Sequence, residues 1–156
     1  MTSLCSKLLK ALDGRTFSTA ESCTGGEIGA AFTEIPGSSA VYKGGIISYT
    51  NWVKENILDV DSGVLCEYGA VSSETAREMA AGVRRLMQTD MAVSVTGIAG
   101  PASDERGTPV GTVYIGFAAK DKCYAKKFVF PGNRAAVRHE AVQEAINILI
   151  CECAED

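Results

Sequence analysis

The sequence is poor in the residues that mark metal centres, disulfide scaffolds and nucleic-acid binding. Its six cysteines form no C-x-x-C pair and His139 is the only histidine, so we expect no metal site. The 15 basic residues are outnumbered by 19 acidic ones, which gives a formal net charge of −4 and no basic stripe for nucleic acid. Without a signal peptide or an apolar run of membrane length, the chain is predicted to be cytoplasmic, with reduced thiols and no membrane partner.

Familiar catalytic motifs are missing as well. Ser22 lacks G-x-S-x-G surroundings, and there is neither a P-loop nor a G-x-G-x-x-G after a strand. Tyr49-Thr50-Asn51 is similar to the second motif of serine β-lactamases, but the accompanying S-x-x-K and K-T-G motifs are absent. A Ser-His-Asp triad would need His139, which lies in a predicted helix and is interpreted as a surface residue. Chemistry at this protein therefore has to come from a less familiar set of residues.

What is present is the composition of a single globular domain spanning residues 1–156. Apolar residues make up 46% and charged residues 22%, and a chain of this length buries about two thirds of its unfolded surface. Residues 61–70 are interpreted as a loop or short turn, and residues 151–156 are expected to fray. The last two strands are separated only by Lys120-Asp121 and should form an antiparallel hairpin. We therefore predict an α/β fold, a three-layer α/β/α sandwich with a mixed sheet. Periodicity predicts strands over 17–20, 41–49, 91–96, 110–119 and 122–130, and helices over 3–12, from Ile28, behind Asn51, from Ser72 or Ser73, and after Asn133.

The rest of the chain is organised around residues 19–26, Thr-Ala-Glu-Ser-Cys-Thr-Gly-Gly. The apolar lead-in predicts a strand and Gly25-Gly26 a turn into a helix, so Ser22 lies at the strand end where open α/β sheets bind ligands. The N–H groups of the helix start suit a phosphate, a carboxylate or an oxyanion. The alternative is that these are ordinary turn and cap residues. Cys23 is either a reactive thiol or, as we favour, a small buried filler.

Lys54 is the candidate base. With Asn51 as helix N-cap, Lys54 falls at the third helical position, where the helix dipole opposes a positive charge. Either the lysine is simply exposed, or the site disfavours its ammonium form. Lowering its pKa from about 10.4 to about 7–8 takes about 4 kcal/mol, which the dipole alone does not supply. We therefore predict that Lys54 is at least partly buried and close to Ser22.

Three strand ends, at Ser22, at Tyr49 and at Thr96-Gly97, meet at one edge of the sheet if their strands run parallel. A hydroxyl, a phenol and an amine would then share one pocket, which is an adequate set for acyl transfer. The segment 102–109 is polar and is the best candidate for a mobile surface loop or lid.

Six short blocks of the sequence carry a further pattern: residues 20–26 (AESCTGG), 36–39 (PGSS), 45–49 (GIISY) with Asn51 and Lys54, 69–72 (GAVS), 96–101 (TGIAGP) and 109–113 (PVGTV). In this order they resemble the C-terminal domain of the competence/damage-inducible protein CinA, whose characterised members are nicotinamide-nucleotide amidases. The resemblance covers nearly the whole chain and is of the stand-alone type. One departure is the segment after Gly100-Pro101, which is often glycine-rich in relatives. Here that segment reads Ala102-Ser103-Asp104-Glu105-Arg106.

The resemblance implies hydrolysis of nicotinamide mononucleotide to nicotinic acid mononucleotide and ammonia, with no cofactor, in a homo-oligomer. It implies Ser22 as nucleophile with Tyr49 and Lys54, and leaves open which of these two is the general base. The phosphate would bind at a helix start, at Arg134 or at Arg138, although both arginines are also readily interpreted as surface residues. Substrate contacts, including oxyanion donors from the backbone, are predicted at Thr24, Gly25, Gly26, Thr96, Gly97 and Gly100.

Two other hypotheses remain. A non-catalytic nucleotide-binding or regulatory module would bind the same ligand without turnover, but it would have no need for Ser22, Tyr49 and Lys54 together. Hydrolysis of a different amide is the third possibility, since the residues indicate the type of reaction more directly than the substrate.

Overall fold

One mixed sheet of five strands organises the computed structural model, which describes residues 1–155. The strand order is β2-β1-β3-β4-β5, with β1 parallel to both of its neighbours and the β3-β4 and β4-β5 pairs antiparallel. The predicted mixed sheet and its hairpin are confirmed. The strands are β1 (Phe17–Glu21), β2 (Tyr42–Ile47), β3 (Met91–Gly97), β4 (Thr112–Ala119) and β5 (Cys123–Val129).

Helices cover both faces of this sheet, as the predicted three-layer sandwich requires. Helices α1 (Thr2–Leu12), α2 (Glu27–Thr33) and α6 (Arg134–Ala154) lie on one face; α3 (Asn51–Asn56), α4 (Ser62–Tyr68) and α5 (Ser73–Met87) lie on the other. Within residues 1–155, no helix has both the length and the apolar character that a membrane crossing demands.

The alternation of side chains along the strands divides the core into two parts. On β3, Val93 and Val95 belong to the apolar cluster under α1, α2 and α6, whereas Ala92 packs with the α5 residues Met79 and Val83. This is the period-two geometry of a strand buried on both faces. Consecutive residues at the end of such a strand therefore meet different helices, which decides how the site is built.

The glycine pair in β2 marks a bulge and a close approach, as predicted. The register shifts so that Phe17 pairs with Tyr42 and Ser18 with Gly44. A Cβ on Gly45 would lie 2.2 Å from Oγ1 of Thr19, which leaves room for glycine alone.

Two sequence predictions at helix boundaries are wrong. Residues 62–68 form helix α4, because Asp61 accepts hydrogen bonds from the N–H groups of Gly63 (2.7 Å) and Val64 (3.2 Å) and so caps a segment that resembles a loop in composition. The C-terminal tail is helical to Ala154, since Cys153 is buried and Glu152 accepts from Tyr124 Oη at 2.6 Å. Asp156, which was also expected to fray, lies outside the described residues.

Gly82 in α5 gives a test of the packing between α5 and the chain that follows α3. An alanine in a helix is normally about 1 kcal/mol more favourable than glycine. Here the added Cβ would lie 2.0 Å from the carbonyl oxygen of Leu58, so we expect Gly82→Ala to lower the free energy of unfolding by about 1–3 kcal/mol in urea denaturation. Arg85→Ala, on the exposed side of the same helix, should change it by less than about 0.5 kcal/mol. A more stable Gly82→Ala protein would contradict the packing described.

Candidate active site

The ends of β1, β2 and β3 meet at one edge of the sheet because these strands are parallel, as predicted. The N–H of Ser22 donates to the carbonyl of Val95 at 2.9 Å, and the N–H of Ser48 donates to that of Glu21 at 2.8 Å, so the ladder extends into the turns. An open cavity of about 280 Å³ lies at this edge, which is the side where α/β sheets bind ligands. It is lined by Ser22, Cys23, Tyr49, Gly97, Ala99 and Arg134.

Lys54 is buried against Ser22, and the predicted proximity is confirmed. Its side chain is 1% exposed, and Nζ lies 3.1 Å from Ser22 Oγ and 2.6 Å from the carbonyl oxygen of Ser48. Ser22 is 8% exposed, so its hydroxyl reaches the cavity while the amine lies behind it. The serine, the lysine and the cavity thus have the order that a nucleophile, its base and a substrate require.

Burial lowers the pKa of Lys54 from 10.5 to about 8, while a negative charge on Cys23 would act in the opposite direction. The position of Lys54 in its helix differs from the prediction. Thr50, not Asn51, is the N-cap, with Oγ1 accepting from the N–H of Val53 at 3.4 Å. Lys54 is therefore the fourth residue of a six-residue helix and lies in its last turn, where the dipole favours a cation. Loss of hydration, not the helix dipole, makes the ammonium form unfavourable.

Cys23 is a buried thiol rather than a reactive thiolate. It is 7% exposed, and burial raises its pKa to about 11. The interpretation of this residue as a small filler is confirmed. Ser22 is left as the nucleophile candidate of the turn.

Glu21 occupies the anion site that the start of α2 was expected to offer to a substrate. Its carboxylate is 1% exposed and accepts from the N–H groups of Gly26 (3.1 Å), Ile28 (3.0 Å) and Gly29 (3.1 Å). Because neighbouring strand residues point to opposite faces, Glu21 reaches α2 while Ser22 faces Lys54. The start of α2 is therefore corrected from a phosphate or oxyanion site to an internal contact. The sequence signal was an acidic residue just before a glycine turn and a helix.

The other residues predicted at the site differ in how far they reach the cavity. Tyr49 lines it and is 61% exposed. The N–H of Gly25 donates to the Ser22 carbonyl at 3.1 Å, and the N–H of Gly26 donates to the Glu21 carboxylate. Both groups are therefore already used within the protein, and the prediction that they are oxyanion donors is wrong. Within residues 1–155, the N–H groups of Cys23 and Thr24 have no backbone partner, which makes them the better candidates.

Thr24 and Thr96 are buried beside the cavity rather than in its lining. The hydroxyl of Thr96 donates to the carbonyl of Ala70 at 2.8 Å and ties β3 to the connection between α4 and α5. The hydroxyl of Thr24 has no hydrogen-bond partner within the described part of the chain. Gly97 lines the cavity, and the carbonyl of Gly100 accepts from Arg134 at 2.9 Å.

Two arginines lie beside the cavity. From the sequence, each could be either a phosphate-binding residue or an ordinary surface residue. Arg134, the first residue of α6, is exposed and lines it. Arg138 lies one turn later, where Nη2 is 2.6 Å from Glu27 Oε1 and donates to the Thr24 carbonyl at 3.3 Å. Arg138 thus holds the nucleophile turn, whereas Arg134 donates to the Gly100 carbonyl and faces the cavity.

The segment 102–109 is tied to the protein at several points, which does not fit the predicted mobile lid. Arg106 donates to the carbonyls of Cys66 (2.6 Å) and Glu67 (3.0 Å) in α4, and Asp104 accepts from the N–H of Thr108 at 2.8 Å. The lid interpretation relied on polar composition, which does not distinguish a free loop from one bound through its side chains.

A larger cavity, of about 540 Å³, lies at the opposite end of the sheet. Three of its charged side chains are paired with one another, since Lys122 Nζ lies 2.7 Å from both Glu152 and Glu155. None of the described residues that line it is a serine, a threonine or a cysteine. Among the described residues, no group of three or more His, Cys, Asp or Glu side chains is placed to hold a metal ion.

Comparison with protein families identifies a relationship over nearly the whole chain. A family model described as the CinA C-terminal domain matches residues 1–153. A CinA-like protein of Thermosipho melanesiensis is 46% identical over 144 residues, which are 91% of this chain and 36% of that protein. A CinA-like protein of Geotalea uraniireducens is 50% identical over 125 residues, which are 80% of this chain and 30% of that protein. The chain therefore spans about one third of the length of these relatives.

Solved structures agree in fold over almost their full length. A competence-damaged protein (CinA) superfamily protein of Klebsiella pneumoniae has a TM-score of 0.96 and 32% identity, with 99% of this chain and 98% of that chain covered. The competence/damage inducible protein CihA of Agrobacterium tumefaciens has a TM-score of 0.92 and 38% identity, with 96% and 93% covered.

The buried lysine predicts how stability depends on pH. A native pKa of about 8 against 10.5 means that the unfolded chain binds more protons between these values, so the free energy of unfolding rises with pH there. Relative to Lys54→Met, the wild type should gain roughly 2 kcal/mol between about pH 7 and pH 10 in urea denaturation. Lys43→Met, which removes an exposed lysine, serves as the control. A difference between wild type and Lys54→Met that does not change with pH would mean that the Lys54 pKa is not lowered.

Proposed function

Because this chain belongs to the CinA C-terminal domain family, we propose that it is a metal-independent amidohydrolase that converts nicotinamide mononucleotide to nicotinic acid mononucleotide and ammonia. The observation that carries the proposal is the distance of 3.1 Å between the buried amine of Lys54 and the hydroxyl of Ser22, at the wall of an open cavity. A lysine with a pKa of about 8 is neutral in a useful fraction of molecules near neutral pH.

Acylation begins when the Ser22 oxygen attacks the carboxamide carbon. A neutral lysine has one lone pair and two N–H bonds. One N–H donates to the Ser48 carbonyl at 2.6 Å, which leaves the lone pair to accept the Ser22 proton. A tetrahedral oxyanion forms beside the turn, where the N–H groups of Cys23 and Thr24 are the candidate donors.

Collapse of this intermediate breaks the carbon–nitrogen bond and leaves an ester on Ser22. Lys54 returns the proton to the departing nitrogen, which leaves as ammonia. A water molecule then enters from the open cavity, gives a proton to Lys54 and attacks the ester carbon. The products are the carboxylic acid and Ser22 with its proton restored.

Tyr49 and Arg134 have the positions that binding of the substrate requires. The exposed face of Tyr49 offers an aromatic wall for the pyridine ring, and its hydroxyl is a second candidate proton carrier at the leaving group. The guanidinium of Arg134 has five N–H donors, one of which is used on Gly100, so it is the candidate for the phosphate of the nucleotide.

The alternative is a module that binds the nucleotide without hydrolysing it. The cavity, Tyr49 and Arg134 would serve both functions equally well. Burial of Lys54 favours the enzyme, because a buried amine is costly and binding alone does not need one beside a serine.

Ammonia release from nicotinamide mononucleotide in the presence of a chelator tests the proposal directly. We expect turnover by the wild type and a loss of at least about a thousandfold in kcat for Ser22→Ala, because burial keeps Cys23, its neighbour on the cavity wall, in the thiol form. Lys54→Met should lose about 10²- to 10⁴-fold. Ser39→Ala and Lys43→Met, at exposed positions, should retain wild-type rates.

The outcomes separate the hypotheses. A folded wild type that binds the nucleotide but releases no ammonia would support the binding module. Full activity in Ser22→Ala would disprove the nucleophile assignment, and loss of activity with chelator alone would disprove independence from metal.

The rate should follow the ionisation of Lys54. Since the neutral amine is the reactive form, kcat/KM should rise about tenfold per pH unit below its pKa and level off above about pH 8. Steady-state measurements between about pH 6 and pH 9 would define this curve. Lys54→Met should have low activity with no such rise. If that variant kept the wild-type midpoint, another group would have to be the base.

A further inference from the structure

Arg106 joins the long connection between β3 and β4 to the end of α4. Its Nη1 donates to the carbonyl of Glu67 at 3.0 Å and its Nη2 to that of Cys66 at 2.6 Å. These carbonyls belong to the last turn of a helix, where backbone acceptors lack partners within the helix. A guanidinium there also meets the negative end of the helix dipole. Arg106 thus supplies the C-terminal cap of α4 from another part of the chain.

The chain around Gly69 leaves space for this side chain. Gly69 follows α4 with a φ of +81°, and a Cβ built on it would lie 2.7 Å from Arg106 Nε. Any other residue would be strained in this conformation and would also displace the arginine. The hydrogen bonds of Arg106 and the space at Gly69 therefore both favour this position of the arginine at the end of α4.

Asp104 holds the same loop from within. Its Oδ1 accepts from the N–H groups of Arg106 (3.1 Å) and Thr108 (2.8 Å), and its Oδ2 accepts from the hydroxyl of Thr108 at 2.7 Å. Residues 104–108 are thereby a compact turn that presents Arg106 to α4.

The base of the loop forms one wall of the cavity. The N–H of Ile98 donates to the Thr112 carbonyl at 2.9 Å and that of Gly111 to the Ile98 carbonyl at 2.8 Å, which closes the loop at its neck. Between the neck and the clamp lie Ala99, on the cavity wall, and Gly100, whose carbonyl accepts from Arg134. Movement of the loop would therefore shift Ala99 and release a contact of Arg134.

We propose that Arg106 is a positioning residue that clamps the loop between β3 and β4 against α4, so that the cavity wall formed by Gly97, Ala99 and Arg134 is built before a substrate arrives. A wall that is already ordered costs no ordering when a ligand binds. The side chain of Arg106 packs against α4 and is not part of the cavity lining. It should therefore affect substrate binding and leave the Ser22–Lys54 pair unchanged. The predicted effect of the clamp on turnover rests on the proposed function, whereas its predicted effect on the order of the loop does not.

The test combines hydrogen exchange with kinetics on Arg106→Ala, Arg106→Lys and the control Arg85→Ala, which removes an exposed arginine paired with Asp59. In Arg106→Ala we expect amide exchange in peptides covering residues 97–108 to be about tenfold faster than in the wild type. With nicotinamide mononucleotide, KM should rise about tenfold while kcat and the pH midpoint stay near wild type. Arg106→Lys should restore part of both, because an ammonium can reach a helix carbonyl but lacks the planar fork of donors.

The clamp and the proposed function are tested by different measurements and can fail separately. Unchanged exchange in Arg106→Ala disproves the clamp, whatever the activity. Faster exchange with an unchanged KM shows that the clamp does not position the cavity wall and overturns the proposal. If the wild type releases no ammonia, the proposed function fails, and nucleotide affinity measured by calorimetry replaces KM in the same comparison. A fall in kcat with a shifted pH midpoint would place the effect at Ser22–Lys54 and would also overturn the proposal.

Discussion

The burial of one amine beside one hydroxyl is the constraint on which the site depends. Lys54 is 1% exposed, and removing an ammonium from water is costly, so the fold has to compensate or the lysine has to lose its proton. The Ser48 carbonyl, at 2.6 Å, provides one hydrogen bond, and Ser22 provides another. Burial lowers the pKa of Lys54 to about 8, which makes the neutral amine available as a base.

Because side chains alternate between the two faces of a β-strand, two neighbouring residues have different roles at this site. Glu21 turns to one face and holds the start of α2 through three N–H groups, whereas Ser22 turns to the other face and meets Lys54. The positive end of α2 is therefore used to fix the nucleophile turn. An anionic group of a ligand therefore needs a positive partner other than the start of α2. Arg134 on the cavity wall has a suitable position.

The cavity wall formed by Gly97, Ala99 and Arg134 is held by contacts between residues that are distant in sequence. Arg134 from α6 binds Gly100, Arg106 binds α4, and Thr96 binds the connection after α4. Of these contacts, the one made by Arg106 meets carbonyls at the C-terminal end of a helix, where backbone acceptors need donors. A single sheet edge thus gains a defined shape from three helices, and rigidity there is a property of the assembled fold.

The sequence by itself determined the elements with strong periodicity: the helices 2–12 and 73–87, the five strands and the hairpin, because side-chain spacing is a local property. It also predicted that Lys54 lies close to Ser22, from the residue types at strand ends, and the structure confirms this contact. Helix α4 and the N-cap at Thr50 were missed, because a cap depends on which of several polar side chains turns back to the backbone. Only the tertiary structure decided that Glu21 fills the start of α2, that Arg134 faces the cavity and that Arg106 binds α4. These contacts join residues that are distant in sequence or that depend on the direction of a side chain, and local patterns contain neither kind of information.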